Sequence, residues 1–416
     1  MGARTKGQGL RRRFSVILML SSTLLAACHA GGGEDKAWTL PVAEGTRLLN
    51  RGAATVRPID LALARRTRLH QPTGALAQLF RVSDVAVDRV GNVYVADSGA
   101  QNVKVFDATG HYSHTIGAPG SGPGELRLPV NVVVAGSKVV INDIQLARFS
   151  IWTSDGQHVG ERRHVGGRLR FTQMMGTSAG TLLASYLVQD EAEKPVERVV
   201  VLAESSEILH ILADLPRTGM IQLRSAATNS RTRGFMDGYV AGATRGVPRL
   251  AVREPDGAYV SSSSEYEILG TDLQGSPEWA LRVDWPRVNF PETEIDAFLD
   301  ALRRVMPDAS RADIAVPAHL PAIDELRVDG RGRLFVFPSV ASVASDEGKL
   351  AGRPVDVYSS DGDLIWAATW RGVAPTQWKA AFEDYIYTIE TDTATEEQVI
   401  VQYELVASDD RRREQQ

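Results

Sequence analysis

The first regular pattern in the chain is an alternation of apolar and polar residues, interrupted by turns that contain glycine. Residues 85–110 hold three short alternating segments, separated by turns that end at Gly91 and Gly110. A fourth segment follows at residues 114–116. A period of two residues is typical of half-buried β-strands, and glycine favours tight turns between them. The pattern therefore predicts a four-stranded antiparallel meander.

The same pattern returns 46 residues later, over residues 131–156. Asp143 occupies the place of Asp97, and Gly156 occupies that of Gly110. A fixed period of this length is the sequence signature of one blade of a β-propeller. Weaker copies of the unit follow at 180–206, 252–275, 326–362 and 384–405.

Six units predict an all-β chain that forms a six-bladed β-propeller over residues 38–408. The last unit ends before a fourth strand, and Leu61–His70 precedes the first unit as an outer strand would. We predict that this N-terminal strand completes the last blade and closes the ring, which removes a free sheet edge. An open β-sandwich or two separate β domains are the alternatives.

One segment departs from the strand pattern. In Pro291–Val305, four apolar residues recur at the spacing of one helical face: Ile295, Phe298, Leu299 and Leu302. We predict a helical insertion at about 291–313, between blades four and five. Its helix either lies over the mouth of the central channel or packs against the blade edges.

The N-terminus has the features of a bacterial export signal. A basic segment ends at Arg13 and is followed by the apolar run 14–27, which is shorter than the roughly 20 residues needed to span a bilayer. The run ends in Leu25-Ala26-Ala27-Cys28, which resembles a lipobox. We predict a lipoprotein signal peptide at 1–27.

Lipidation of the Cys28 thiol would then anchor the chain in a membrane, with 28–37 as a flexible tether. A simple secretory signal with an incidental cysteine, or a short anchor helix, is the alternative. The general secretory route and the twin-arginine route both remain open. Since His29 follows the cysteine, the resemblance to diderm lipoproteins implies the outer membrane, facing the periplasm or the cell surface.

Charge and cysteine content narrow the possible partners. The chain has a formal charge of −5, but residues 1–27 contain five basic residues and no acidic one. The remainder is therefore clearly acidic, which argues against a nucleic-acid partner. Cys28 is the single cysteine, so no disulfide forms within the chain. The charged residues 409–416 are expected to be a disordered tail.

Three stretches of the first repeat and its connector resemble a known family. They are residues 88–97 (DRVGNVYVAD), 103–107 (VKVFD) and 117–126 (GAPGSGPGEL). They resemble bacterial six-bladed β-propeller lipoproteins related to NHL-repeat proteins. The resemblance implies the propeller fold and leaves the activity open, because members of such families differ in function.

Related propellers include peptide-amidating lyases and gluconolactonase-like hydrolases, which bind Zn²⁺ or Ca²⁺ at the channel mouth. Six of the eight histidines are expected at the surface and form a poor zinc-binding set: His70, His111, His114 and His210 on or beside predicted outer strands, and His158 and His164 after a turn of the second repeat. We find no catalytic motif and predict no catalytic residue, no cofactor and no metal.

The connectors that lead into the inner strands carry polar residues that could line a ligand pocket on one face, for a polar or anionic molecule. They are Arg81, Asn131, Arg170, Gln173, Arg245 and His319. The sequence thus favours a membrane-anchored binding or scaffold lipoprotein with an unknown envelope or extracellular protein, or a small ligand, as partner. A metal-dependent hydrolase or lyase, and a component of a secretion or uptake assembly, are the alternatives.

Overall fold

The computed structural model describes most of the chain after the predicted tether. The described residues are 39–50, 59–69, 78–164, 171–189, 195–217, 221–223, 248–340, 352–392 and 395–407. Among them, no helix is both long enough and apolar enough to cross a bilayer. The predicted signal peptide, lipidated Cys28, tether and C-terminal tail lie outside the described residues.

Two N-terminal strands precede the blades: β1 (Arg47–Asn50) and β2 (Ile59–Arg68). Blade 1 contains β3 (Val82–Val87), β4 (Val93–Asp97), β5 (Asn102–Phe106) and β6 (Tyr112–Ile116). Its connector to blade 2 contains the short strands β7 (Ala118–Pro119) and β8 (Glu125–Leu126). Blade 2 contains β9 (Pro129–Ala135), β10 (Lys138–Asp143), β11 (Arg148–Thr153) and β12 (His158–Arg163).

Blade 3 contains β13 (Phe171–Gly176), β14 (Leu182–Gln189), β15 (Pro195–Leu202) and β16 (Ile208–Pro216), and is followed by β17 (Gln222–Leu223). Blade 4 contains β18 (Arg249–Arg253), β19 (Gly257–Ser261), β20 (Glu267–Asp272) and β21 (Pro277–Arg282). The insertion that follows contains helix α1 (Glu292–Arg303), a 3₁₀ turn (Arg311–Asp313) and β22 (Ile314–Ala315).

Blade 5 contains β23 (Ile323–Val328), β24 (Leu334–Pro338), β25 (Arg353–Tyr358) and β26 (Leu364–Arg371). Blade 6 follows a 3₁₀ turn (Pro375–Gln377) and contains β27 (Trp378–Phe382), β28 (Tyr385–Thr391) and β29 (Gln398–Ala407).

The six blades form a ring around a central channel. The first strands of blades 1 to 5 pack side by side in chain order, β23 of blade 5 contacts the 3₁₀ turn that precedes β27, and β27 of blade 6 packs beside β3 of blade 1. Six buried apolar clusters accompany this ring, and each joins two neighbouring blades. Burial of apolar surface between blades is therefore the main source of stability. The predicted six-bladed β-propeller is confirmed.

Strand β2 closes the ring, as the sequence predicted. It pairs antiparallel with β29 and so supplies the fourth strand of blade 6. Its first residues also pair, in parallel, with β26 of blade 5, with Ile59 beside Ala368. Leu61 is fully buried in the cluster between these two blades. The sequence did not predict the pairing of β1, which adds a parallel fifth strand to blade 4 beside β21.

Helix α1 lies where the sequence predicted it, between the outer strand of blade 4 and the inner strand of blade 5. Its four predicted apolar residues are buried. They pack against Ile221 and against residues 309–316 of the same insertion, and β17 pairs with β22 beside them. Among the described residues, the apolar face of the helix therefore packs in a cluster made of connector segments.

Aspartates and glycines at equivalent positions hold the loops of several blades. The Asp97 carboxylate accepts hydrogen bonds from four backbone N–H groups, those of Phe80, Arg81, Gly99 and Ala100. Asp143 does the same in blade 2, for Arg127, Leu128, Gln145 and Leu146. Gly110, Gly156 and Gly362 share a φ close to +85° at the same hairpin, a region that favours glycine. The carboxylates of Asp97 and Asp143 thus cap the turns that these residues open.

Candidate ligand site in the central channel

The channel has two mouths that differ in their lining. The first strand of each blade begins at one face, which we name the upper face, and the connectors between blades lie there. The hairpins that follow the first strands lie at the opposite, lower face. Since adjacent strands of each blade are antiparallel, this division holds for all six blades.

Each inner strand carries a polar residue near its upper end. We name this set the channel tier, and its members are Asp84, Asn131, Gln173, Arg249, Glu325 and Lys379. A register irregularity accompanies the polar residue in every blade except blade 4. Such bulges turn a side chain away from the regular pleat. The fold thus places one polar group per blade around the upper part of the channel.

Tier residues join one blade to the next. The Asp84 carboxylate of blade 1 accepts a hydrogen bond from the Val132 N–H of blade 2 at 3.2 Å. In blade 3, Gln173 donates from Nε2 to the Pro248 carbonyl at 2.6 Å and accepts from the Leu250 N–H at 3.3 Å. These bonds connect the inner strands of neighbouring blades. Asp84 and Gln173 therefore have a structural role.

An ion pair connects blade 4 to blade 5, and a hydrogen bond connects blade 5 to blade 6. The buried carboxylate of Glu325 lies 3.4 Å from Arg249 Nη2 and 2.8 Å from Arg327 Nη1. Arg327 also donates from Nε to the Trp378 carbonyl at 3.0 Å. Lys379 differs from them, because its side chain is exposed and no carboxylate among the described residues lies within ion-pair distance of its ammonium group.

Desolvation shifts the pKa values of two tier residues, Asp84 of blade 1 and Lys379 of blade 6. Loss of hydration raises the pKa of Asp84 to about 6, although Lys379 and the hydrogen bonds to the carboxylate act in the opposite direction. Partial desolvation by the surrounding channel wall lowers the pKa of Lys379 even though part of the residue stays exposed, and the attraction of Asp84 partly offsets this. Water still reaches both side chains.

The lower mouth opens into a cavity of about 860 Å³. All six blades contribute to its lining. Aliphatic and aromatic side chains form part of the wall: Val87, Val134, Val328, Ile365, Ala381 and Phe382. Three acidic and three basic residues stand among them: Asp88, Glu254, Asp329, Arg89, Arg331 and Arg333. The volume and the mixed lining are those of a small-molecule pocket.

At the lower mouth, hydrogen bonds connect the hairpin of blade 3 to blades 1 and 4. Arg89 of blade 1 donates from Nη2 to the Ser178 carbonyl at 3.1 Å. The Ser178 N–H donates to the Glu254 carboxylate of blade 4 at 3.0 Å, and its hydroxyl donates to the Pro255 carbonyl at 3.1 Å. These contacts hold one side of the cavity rim in place.

The ligand-face residues predicted from sequence divide into three groups. Asn131 and Gln173 lie in the channel tier, on neighbouring inner strands. Arg81 is exposed and donates from Nε to the Ser98 hydroxyl, and the exposed His319 lies in the connector before blade 5, a blade not adjacent to that of Arg81. Arg170 and Arg245 lie outside the described residues. A single pocket formed by all six residues stays a prediction.

The positions of the histidines agree only in part with the sequence prediction. His114 and His210 lie on outer strands, as predicted, and His158 begins the outer strand that follows the blade 2 turn. His164 was expected at the surface but is buried, with its ring 4.9 Å from that of Phe149 and 5.8 Å from that of Phe171. Within the described parts of the chain, no group of three or more His, Cys, Asp or Glu side chains is arranged to hold a metal ion.

The charged members of the tier and the lower cavity were not identified from the sequence. A signal for the tier exists, because aligning the inner strands of the six repeats brings Asp84 and Glu325 level with Asn131 and Gln173. The lower cavity has no comparable signal, since its lining comes from hairpins of six different blades.

Comparison with known proteins agrees with this geometry. A family model described as a six-bladed β-propeller (DUF5128) matches residues 77–225. The predicted resemblance to six-bladed β-propeller proteins is therefore confirmed. A search of the curated proteins finds no match.

Solved structures resemble the chain in fold. One is a candidate exported protein from Bacteroides fragilis, 12% identical, with a TM-score of 0.50 and coverage of 87% of this chain and 99% of that one. Another is a DUF4221 family member from Bacteroides vulgatus, 10% identical, with a TM-score of 0.47 and coverage of 84% and 99%. A calcium-binding protein, regucalcin, from Agrobacterium tumefaciens is 11% identical, with a TM-score of 0.40 and coverage of 82% and 95%. At these identities the likeness concerns the fold alone.

Proposed function

We propose that the chain is an exported, membrane-anchored lipoprotein that binds a small molecule or a short segment of a protein partner at the lower mouth of its propeller. The observation that carries this proposal is the cavity of about 860 Å³ lined by all six blades. It lies within the range of about 300–1,000 Å³ that is usual for ligand pockets.

The lining also indicates the kind of ligand. The three acidic and three basic residues of the lining balance in formal charge, and apolar side chains stand between them. Such a lining suits a neutral or zwitterionic molecule with an apolar part, and it does not favour a strongly charged one. Peptides and modified sugars are therefore the first classes to test.

Export and anchoring rest on the N-terminal residues. The basic segment, the apolar run 14–27 and the lipobox-like end at Cys28 support transport and lipidation, and they favour an outer-membrane location. A tether of the length of 28–37 would leave the propeller free to meet partners in the periplasm or at the cell surface.

The binding proposal is tested by thermal shift on the mature lipoprotein in mild detergent, with peptides, sugars and lactones as ligands. A ligand of the native state raises the melting temperature by mass action. Ser360→Trp places an indole at the cavity, because Ser360 is exposed and lines it. Ser154→Trp is the matched control, since Ser154 holds the same hairpin position in blade 2 and does not line the cavity.

We expect the shift to be lost in Ser360→Trp and kept in Ser154→Trp. A shift kept in both variants, or no shift with any ligand, would refute binding at this cavity. Parallel melts with EDTA address the alternative function. A fall in melting temperature that Ca²⁺ or Zn²⁺ restores would favour a metal-dependent hydrolase or lyase instead.

A further inference from the structure

Among the described residues of the channel tier and Arg327, the cationic side chains outnumber the acidic ones by one. The tier and its neighbour Arg327 contain three cationic side chains, Arg249, Arg327 and Lys379, against the two acids Asp84 and Glu325. Glu325 pairs with both arginines. Asp84 is hydrogen-bonded to backbone N–H groups of Val85 and Val132. The ammonium group of Lys379 is thus the charge that the described acids do not pair.

The position of Lys379 makes this charge available to a ligand. Lys379 lies at the bulge between Trp378 and Ala380, at the upper end of β27. Its side chain is exposed, so a solute that enters the channel from the upper face can reach it.

We propose that the upper mouth of the channel is a second site, distinct from the lower cavity, which binds a small carboxylate through Lys379. A single excess positive charge matches a monoanion. A phosphate dianion would bring a second negative charge close to Asp84 and Glu325, which opposes its binding. The site lies at the upper ends of the inner strands, so it does not depend on the ligand of the lower cavity.

Asp84 makes this site respond to pH. The charged groups that act on Asp84 and Lys379 are each other, Arg327 and Glu325, with Arg249 on the far side of Glu325. Burial holds the pKa of Asp84 at about 6, so below this pH its carboxyl group is neutral. The site then carries a larger excess of positive charge, and a carboxylate binds more tightly as the pH falls through 6.

The test measures binding of glucuronate and glucose to the mature lipoprotein by calorimetry, because the two sugars share a ring and differ by one carboxylate. We expect glucuronate to bind, and glucose to bind at least tenfold more weakly. Affinity for glucuronate should rise about fivefold between a pH of about 7.5 and one of about 5. Inorganic phosphate should bind more weakly than glucuronate at the higher pH.

Three variants separate the parts of the proposal. Lys379→Met should lower the affinity for glucuronate about tenfold or more, whereas Lys138→Met, which removes a lysine from the edge of blade 2, should leave it unchanged. Asp84→Asn should abolish the pH response and raise the affinity at the higher pH. Unfolding midpoints of all variants are measured first, so that only folded protein is compared.

Equal affinity of the wild type and Lys379→Met for glucuronate would overturn the proposal, as would equal binding of glucose. Tighter binding of phosphate would overturn the assignment to a monoanion. These results bear on the upper site alone. A ligand whose thermal shift disappears in Ser360→Trp would still support the lower cavity.

Discussion

The Asp84 carboxylate of blade 1 accepts a hydrogen bond from the Val132 N–H of blade 2, at 3.2 Å, within the wall of the channel. This contact joins two inner strands that are 48 positions apart in sequence. The same carboxyl group has a pKa raised to about 6. One residue therefore links the stability of the ring to its protonation.

We expect Asp84 to make the fold less stable as the pH rises from about 4 to about 7. The folded-state pKa of about 6 lies above the usual aspartate value, so the folded protein holds the proton more tightly than the unfolded chain. Ionisation then costs up to about 3 kcal/mol, and partial access of water reduces this to about 1–2 kcal/mol. Urea unfolding of the wild type and of Asp84→Asn across this range measures the difference. Parallel curves for the two proteins would contradict the assignment.

His164 should have the opposite pH dependence. Burial between Phe149 and Phe171 lowers its pKa, so the folded state favours the neutral ring. Its contribution to stability is present above the unfolded-state pKa of about 6.5 and is lost as the pH falls below it. His164→Phe keeps an aromatic ring and should reduce the loss of melting temperature between a pH of about 7 and one of about 5.

His319→Phe is the control for that measurement, because His319 is exposed in a connector. Its melting curve should follow the wild type at every pH. If His164→Phe lost stability on acidification as steeply as the wild type, protonation of His164 would not be the cause.

Much of the fold could be predicted because the pattern of strands and turns repeats along the chain. Asp97 and Asp143 stand in the same place of two repeats, and Gly110 and Gly156 in another, so one unit predicts the next. The pairing of β1 with β21 could not be foreseen. A strand of four residues, RLLN, carries too little alternation to show which edge it will join.

The candidate sites were harder to predict for a physical reason. Asn131 and Gln173 were identified because each repeat by itself shows a polar residue at the start of an apolar strand. The role of Lys379 depends on its distance from carboxylates in other blades, which only the closed ring defines. The lower cavity likewise exists only once six hairpins meet. His164 was misassigned because its burial comes from packing against Phe171 of the next blade.

Ring closure by β2 predicts a large effect at one buried position. Leu61 is fully buried in the cluster between blades 5 and 6, while Leu48 on β1 is 56% exposed. We expect Leu61→Ala to lower the free energy of unfolding by about 2–4 kcal/mol and Leu48→Ala to change it by less than about 0.5 kcal/mol. Urea unfolding followed by tryptophan fluorescence gives both values. Similar losses in the two variants would argue against β2 as the closing strand.

The anchoring proposal predicts an acyl group at one defined atom. Cys28 holds the single thiol of the chain, so no other side chain can carry a thioether-linked lipid. Cells that express the protein and are fed an alkyne-tagged fatty acid should label the wild type and not Cys28→Ala. The wild type should remain in the membrane pellet after a salt wash, because lipid chains and not charges hold it there. A wild-type protein that is shortened at its N-terminus, released into the soluble fraction and unlabelled would instead identify a simple secretory signal.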